Sequence, residues 1–192
     1  MSMNLVLDSA RELCKSNSSL RKFVEWPDDS VEVDKPREQV PAAELVAKFP
    51  LNGTKETQGL LNLVRNSTNL ANWQQTYKEE EVGSDFLNRY GYFELIGPEG
   101  HYFSKKIRGF IAYWGEKLTY DWHSHEAEEI YFILAGSGLF RTEEGEKLLK
   151  ANETCFHKSW ESHSMVTFSE PILTFVLWRG AGISNLSKMD KK

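Results

Sequence analysis

Four residues in the second half of the chain have the types and spacing to hold a metal ion: His123, His125, Glu129 and His163. His123 and His125 are two apart, so on a β-strand both imidazoles leave the same face. Glu129 keeps that parity, and a tight turn or a continued strand brings its carboxylate to the same point. Two imidazoles and a carboxylate suit one borderline divalent transition metal ion, Fe(II), Zn(II), Mn(II), Co(II) or Ni(II). A fourth ligand must come from elsewhere. His163 is the natural supplier, because it begins the strand-like run His163, Ser164, Met165, Val166, Thr167, Phe168 after a polar turn. His157 lies earlier in that region and is the less favoured alternative. A lone His-x-His on a surface strand is usually incidental, but a glutamate at fixed spacing inside a β-rich stretch reverses that reading. Glu126 and Glu128 have the opposite parity and belong to solvated faces. His101 follows Pro98, Glu99 and Gly100 in a turn and is expected to be exposed.

Aromatic residues surround these ligands. Tyr131 stands two residues after Glu129, so strand parity points it into the same pocket. Tyr120 and Trp122 precede the first histidine, and Trp178 ends the last strand-like run. A phenol beside a divalent cation has its pKa lowered, because the positive charge favours phenolate. Tyr131 first and Tyr120 second are therefore candidate general bases, and Tyr131 is also a candidate ligand. Trp122 fits core packing as well as it fits a binding role.

The elements that must position these residues fall into two parts. Residues 1–88 read as a helical extension, with Leu5, Leu7, Ala10, Leu13 and Cys14 at helical spacing and a second amphipathic face at Leu60, Leu61, Leu63 and Val64. Ala43 to Phe49 is a short helix ending at Pro50. The run Lys78, Glu79, Glu80, Glu81 is expected to be solvated. Residues 89–192 change period: short aromatic and β-branched runs alternate with turn signals such as Gly136, Ser137, Gly138. This is the pattern of a mainly β protein, a jelly roll or barrel, and small barrels carry their sites inside. The tail from Ser187 onward is expected to fray.

Composition narrows the function classes. The chain has 192 residues, 40% of them hydrophobic and 27% charged, enough for one unit with a real core. A net charge of −5 and a pI of about 5.6 lack the electrostatic footprint of a nucleic-acid binder. No apolar run approaches a membrane span, and the N-terminus lacks the basic and apolar regions of a secretory signal, so a cytoplasmic location is expected. Cys14 and Cys155 form no disulfide framework. A monomer or a homodimer is expected.

The spacing His123-x-His125-x3-Glu129-x6-Gly136 resembles the first motif of the cupin family at every fixed position. The second cupin motif, PxGxxHxxxN, keeps only His163, with Lys158, Trp160 and Thr167 where Pro, Gly and Asn would stand. The stretch from Tyr120 to Tyr131, with His163 and Trp178, is similar to the cupin-type dimethylsulfoniopropionate (DMSP) lyases, closest to the Q-type enzymes of marine bacteria. That resemblance covers essentially the whole chain. It implies a jelly-roll barrel with a helical N-terminal extension and a metal-dependent β-elimination of a small zwitterionic sulfonium carboxylate to dimethyl sulfide and acrylate. It also implies a tyrosine base and an aromatic box for the sulfonium drawn from Trp178, Tyr120, Tyr131 and Trp122. The alternatives are an Fe(II)-dependent cupin dioxygenase and a non-catalytic metabolite-binding cupin.

Overall fold

The computed structural model describes residues 2–190. Helices α1 (Met3–Ser16) and α2 (Ser18–Phe23) open the chain. Asn17 separates them, because its side-chain oxygen accepts from the N–H groups of Ser19 and Leu20 and so caps the second helix. After the short strand β1 (Val31–Glu32), helix α3 (Pro41–Ala47) starts on a proline, whose fixed φ suits a first helical turn. Helix α4 (Gln58–Arg65), a 3₁₀ turn (Thr68–Leu70), α5 (Glu79–Val82) and α6 (Ser84–Asn88) follow. The acidic run is exposed as expected, and Glu81 turns back to accept from the Lys78 N–H at 2.8 Å, capping α5.

Strands then dominate: β2 (Tyr90–Gly97), β3 (Tyr102–Phe103), β4 (Ile107–Trp114), β5 (Thr119–Ser124) and β6 (Glu128–Thr142). They continue with β7 (Gly145–Lys150), β8 (Thr154–His157), β9 (His163–Val166), β10 (Ile172–Arg179) and β11 (Lys188–Met189). The order is β1-β3-β2-β4-β10-β6-β9-β5-β11, with β7 and β8 also paired to β6. Every pair is antiparallel except β2 with β3. Strand β6 serves both sides of the fold: its first half pairs with β8 and β10, its second with β7 and β9. Gly136 lies between those halves with φ +82°, and a Cβ there would stand 1.9 Å from the Pro171 carbonyl oxygen. Only glycine meets both constraints. The fixed glycine of the motif is thus a condition for the strand to pass from one pairing to the other.

The central strands are buried on both faces, and alternation assigns each residue to one of two cores. Phe93, Ile111, Tyr113, Ile130, Phe132, Leu134, Phe175 and Leu177 face outward and pack with Val6, Ala10, Leu20, Val46, Leu61 and Trp73 of the helical part. Tyr90, Tyr92, Phe110, Trp114, Tyr131, Val176 and Trp178 face inward and form the second core. Double burial explains why these strands read as near-continuous apolar runs. Helices α1–α4 therefore cover the outer face of the sheet, while Phe86 of α6, with Val82 and Leu87 beside it, packs against the inner core.

Two expectations are corrected here. The tail does not fray up to Asp190: Lys188 and Met189 pair with Ser124 and His123 of β5, while Lys191 and Lys192 lie outside the described residues. The stretch before residue 89 is also not helical throughout, since β1 joins the sheet through β3 and Gln74 bridges Tyr92. No helix among the described residues is long and apolar enough to cross a membrane.

Candidate active site

Strand β5 supplies the first residues of the site, with an irregularity in its pairing to β9 between Tyr120 and His123. A bulge shifts side-chain parity, so Tyr120 and His123, three apart, are both buried, while Trp122 turns outward and is 37% exposed. Trp122 lines a surface groove with Asp121, Ser162 and Met189, apart from the inner pocket. His125 lies just past the end of β5, Glu129 is the second residue of β6, and His163 starts β9.

The histidines share one device. His123 Nδ1 lies 2.8 Å from the Asp121 carbonyl oxygen, His125 Nδ1 2.9 Å from that of Ala127, and His163 Nδ1 2.8 Å from that of Glu161. A carbonyl only accepts, so each Nδ1 carries a proton, which leaves Nε2 as the nitrogen offered to a metal. Glu129 Oε2 stands 3.3 Å from His125 Nε2 and 3.1 Å from His163 Nε2. All three atoms are buried, and none completes a hydrogen bond. They lie within 4.8 Å of one another, a group able to hold a metal ion. Buried polar atoms left unsatisfied cost about 1–3 kcal/mol each, and a shared cation is the partner their chemistry fits.

His123 stands beside this group and outside it. Its ring lies 4.1 Å from that of His163, 6.5 Å from that of His125, and stacks at 3.9 Å on Tyr120. His157 is wholly buried and stacks on His163 at 4.0 Å and 10°, with both ring nitrogens unsatisfied. Burial, then the neighbouring His163, pulls its pKa down to about 3, so it is neutral. Burial raises the Glu129 carboxyl, but His125 and His163 outweigh it and hold the group well below the usual carboxylate range.

Trp178 Nε1–H donates to Glu129 Oε1 at 2.6 Å. One carboxylate oxygen is thereby pinned while Oε2 is left for the ion. The same indole stacks on His125 at 4.2 Å and lies under the Arg108 guanidinium at 5.6 Å. Trp178 thus orients two members of the group.

The departures from the second cupin motif also find physical replacements. Trp160, in the glycine's place, adopts φ +60°, the left-handed conformation a glycine would take, and its N–H donates to the His125 carbonyl at 2.8 Å. Thr167, in the asparagine's place, is buried, accepts from the Leu118 N–H at 2.9 Å and donates to the Gly115 carbonyl at 2.6 Å.

A pocket opens beside Glu129. Tyr120, Tyr131, Glu129 and Trp178 line it, as the sequence led us to expect, but so do Tyr90, Tyr92, Trp114 and Arg108. Tyr90-x-Tyr92 has the same period-two signature as His123-x-His125, which could have revealed it. Arg108 carries no such signal. Its Nε donates to Glu94 Oε2 at 2.8 Å, and its Nη1 donates to the Ile183 and Asn185 carbonyls at 3.1 and 2.7 Å. That fastens the segment whose Leu186 and Ser187 complete the pocket wall. Asp190 accepts from Ser124 Oγ and Ser162 Oγ, tying the tail to the ligand-bearing strands. His101, expected in solvent, is buried, and its Nε2 accepts from the Asn72 N–H at 3.0 Å.

Comparison with known proteins places this geometry in a family. A family model described as dimethylsulfoniopropionate lyase matches residues 14–174. The dimethylsulfoniopropionate lyase DddQ of Ruegeria pomeroyi is 32% identical over 163 residues, 84% of this chain and 81% of its own length. The crystal structure of DddQ from R. pomeroyi DSS-3 superposes with a TM-score of 0.93 at 29% identity, covering 97% of this chain and 95% of that one. A chain from the crystal structures of the DMSP lyases RdDddP and RnDddQII gives a TM-score of 0.96 at 35% identity, covering 98% and 97%. A cupin-2 domain protein from Rhodospirillum rubrum, 13% identical with a TM-score of 0.50 over 64% of this chain and 76% of that one, shares the fold alone. With its mainly β cupin architecture, its N-terminal helices and a model match over most of its length, the chain belongs to the DMSP lyase family of enzymes.

Proposed function

We propose that the protein cleaves DMSP to dimethyl sulfide and acrylate by β-elimination, with a divalent transition metal ion held by His125, Glu129 and His163. The observation that carries this reading is the convergence of three buried, unsatisfied ligand atoms, one of them on Glu129 in the wall of a pocket lined by tyrosines. His123, its tautomer set in the same way, is the candidate for a fourth position. Bound there, the ion supplies Lewis-acid polarisation of the substrate carboxylate, which acidifies the adjacent C–H and stabilises enolate-like charge.

The residues of the chain do the rest. A tyrosine, Tyr131 first and Tyr120 second, takes the proton from the carbon α to the carboxylate. The electron pair of that C–H bond becomes the new C=C bond of acrylate. The C–S bond breaks with its electrons on sulfur, which leaves as neutral dimethyl sulfide, so no strong general acid is required. Burial pushes both phenols well above their ordinary pKa, and for Tyr131 the Glu129 carboxylate adds to it. A phenolate base in this pocket therefore depends on a compensating cation at the histidines. The aromatic walls attract the sulfonium by about 0.5–2 kcal/mol for each well-placed ring. Because Trp178 is already engaged with Glu129, His125 and Arg108, the box falls chiefly to the tyrosines, with Tyr90 and Tyr92 joining Tyr120 and Tyr131.

Two histidines and one carboxylate also match the triad of Fe(II) oxygenases, which makes an oxygen-consuming reaction the second reading. Anaerobic incubation with DMSP separates the two. Elimination predicts equal amounts of dimethyl sulfide and acrylate without oxygen, lost on chelation and lost in Tyr131→Phe or Tyr120→Phe. No product with any of the five metals would sink the lyase reading and turn attention to oxygen uptake.

A further inference from the structure

We propose that Tyr77 is a positioning residue for the reaction site: from the helical half of the chain it sets the direction of the Tyr120 hydroxyl. The proposal rests on the reading of the pocket as the site of DMSP cleavage. Tyr77 lies in the connector between the 3₁₀ turn and α5, far in sequence from the ligands, and is 6% exposed. Its hydroxyl shares a hydrogen bond of 2.8 Å with that of Tyr120 between buried atoms. The rings meet edge-on at 5.9 Å.

Tyr120 itself lines the pocket, whereas Tyr77 does not. The Tyr120 ring is clamped by His123 at 3.9 Å and by Trp114 at 5.4 Å, which fixes where its oxygen lies. What the clamp leaves open is rotation about the C–O bond, which decides whether the pocket meets the proton or a lone pair. Between two buried hydroxyls, one hydrogen bond at this distance restricts that rotation. Tyr77 therefore acts on the substrate only through Tyr120. A tyrosine that merely filled space would make the same ring contacts and leave that rotation unset.

The test is the Tyr77→Phe variant of the full chain, which keeps the ring and removes one oxygen. Initial rates of dimethyl sulfide release are measured with metal-loaded protein across DMSP concentrations, beside Tyr120→Phe and the double variant. Loss of one buried hydrogen bond predicts a fall in kcat of about tenfold. KM should stay within about twofold of wild type, since the walls are intact. Where Tyr120→Phe keeps measurable release, as it does when Tyr131 is the base, the second substitution should change kcat by less than about twofold, because its target is gone. The proposal is overturned if Tyr77→Phe keeps wild-type kcat, if kcat and KM worsen together as in a loosened pocket, or if the tenfold loss recurs without the Tyr120 hydroxyl. It is also overturned if Tyr120→Phe has wild-type kcat. An inactive wild type would instead remove the lyase reading on which it stands.

Discussion

Replacing Trp178 by phenylalanine separates the two services of this indole, the stack on His125 and the hydrogen bond to Glu129. The variant keeps an aromatic ring beside His125, which the wild-type indole contacts at 4.2 Å, and loses the N–H that reaches Glu129 Oε1 at 2.6 Å. Both residues are buried, so no solvent replaces the lost donor. A hydrogen bond to a charged group contributes about 1.5–3 kcal/mol. Not all of that appears in metal binding, because the apo protein loses the bond too. What the holo protein loses in addition is the orientation of the carboxylate, and outer partners of metal ligands typically change affinity by about 10–100-fold. The expectation is thus a 10–100-fold rise in the Kd for Zn(II) or Co(II), about 1.4–2.7 kcal/mol. Competition against a chromophoric chelator reads it directly, with urea unfolding of the apo forms as the folding control. A folded variant whose Kd stays within about twofold of wild type would refute the view that Trp178 holds Glu129 for the ion.

Two further outcomes are expected. Trp160→Gly relieves a left-handed conformation that costs an ordinary residue about 1–2 kcal/mol, against about 0.5–1 kcal/mol for glycine's greater freedom when unfolded. A net gain of up to about 1 kcal/mol should appear in urea unfolding, and a loss of that size would mean the indole carries packing instead. His101 accepts from Asn72 while neutral, and burial, then Lys35, lowers its pKa. The unfolded chain therefore binds a proton near pH 6.5 that the folded state refuses, so stability is lost as pH falls from about 6.5 toward the folded pKa. His101→Gln should lose less stability than wild type between pH 7.5 and 5.5, and equal losses would contradict the assignment.

How far the sequence revealed this site depended on whether local periodicity decided the residue's position. Tyr131 and Trp178 lie on long strands whose alternation places them inside; parity with Glu129 points to Tyr131, and position at the end of the last strand-like run points to Trp178. Tyr120 shares the inner side with His123 through the β5 bulge, which depends on pairing with β9 and leaves no local mark, while Trp122, adjacent to His123, turns outward by plain alternation. His163 was legible through its strand despite a degraded motif, since Trp160 and Thr167 supply by geometry what glycine and asparagine would supply by type. Tyr77, Arg108 and the strand at Lys188 and Met189 escaped notice because each reaches the pocket through a long-range contact. His101 sits in a turn by sequence, and only the packing of the connector at Asn72 buries it.

The central claim is that a single ion at His125, Glu129 and His163 is required for cleavage of DMSP. Its most direct test is titration of metal into the apo protein, without oxygen, while following the rate of dimethyl sulfide release. The rate should rise from near zero and break at one equivalent per chain, with Glu129→Gln removing the break. A rate indifferent to metal, or unchanged in Glu129→Gln, would contradict it.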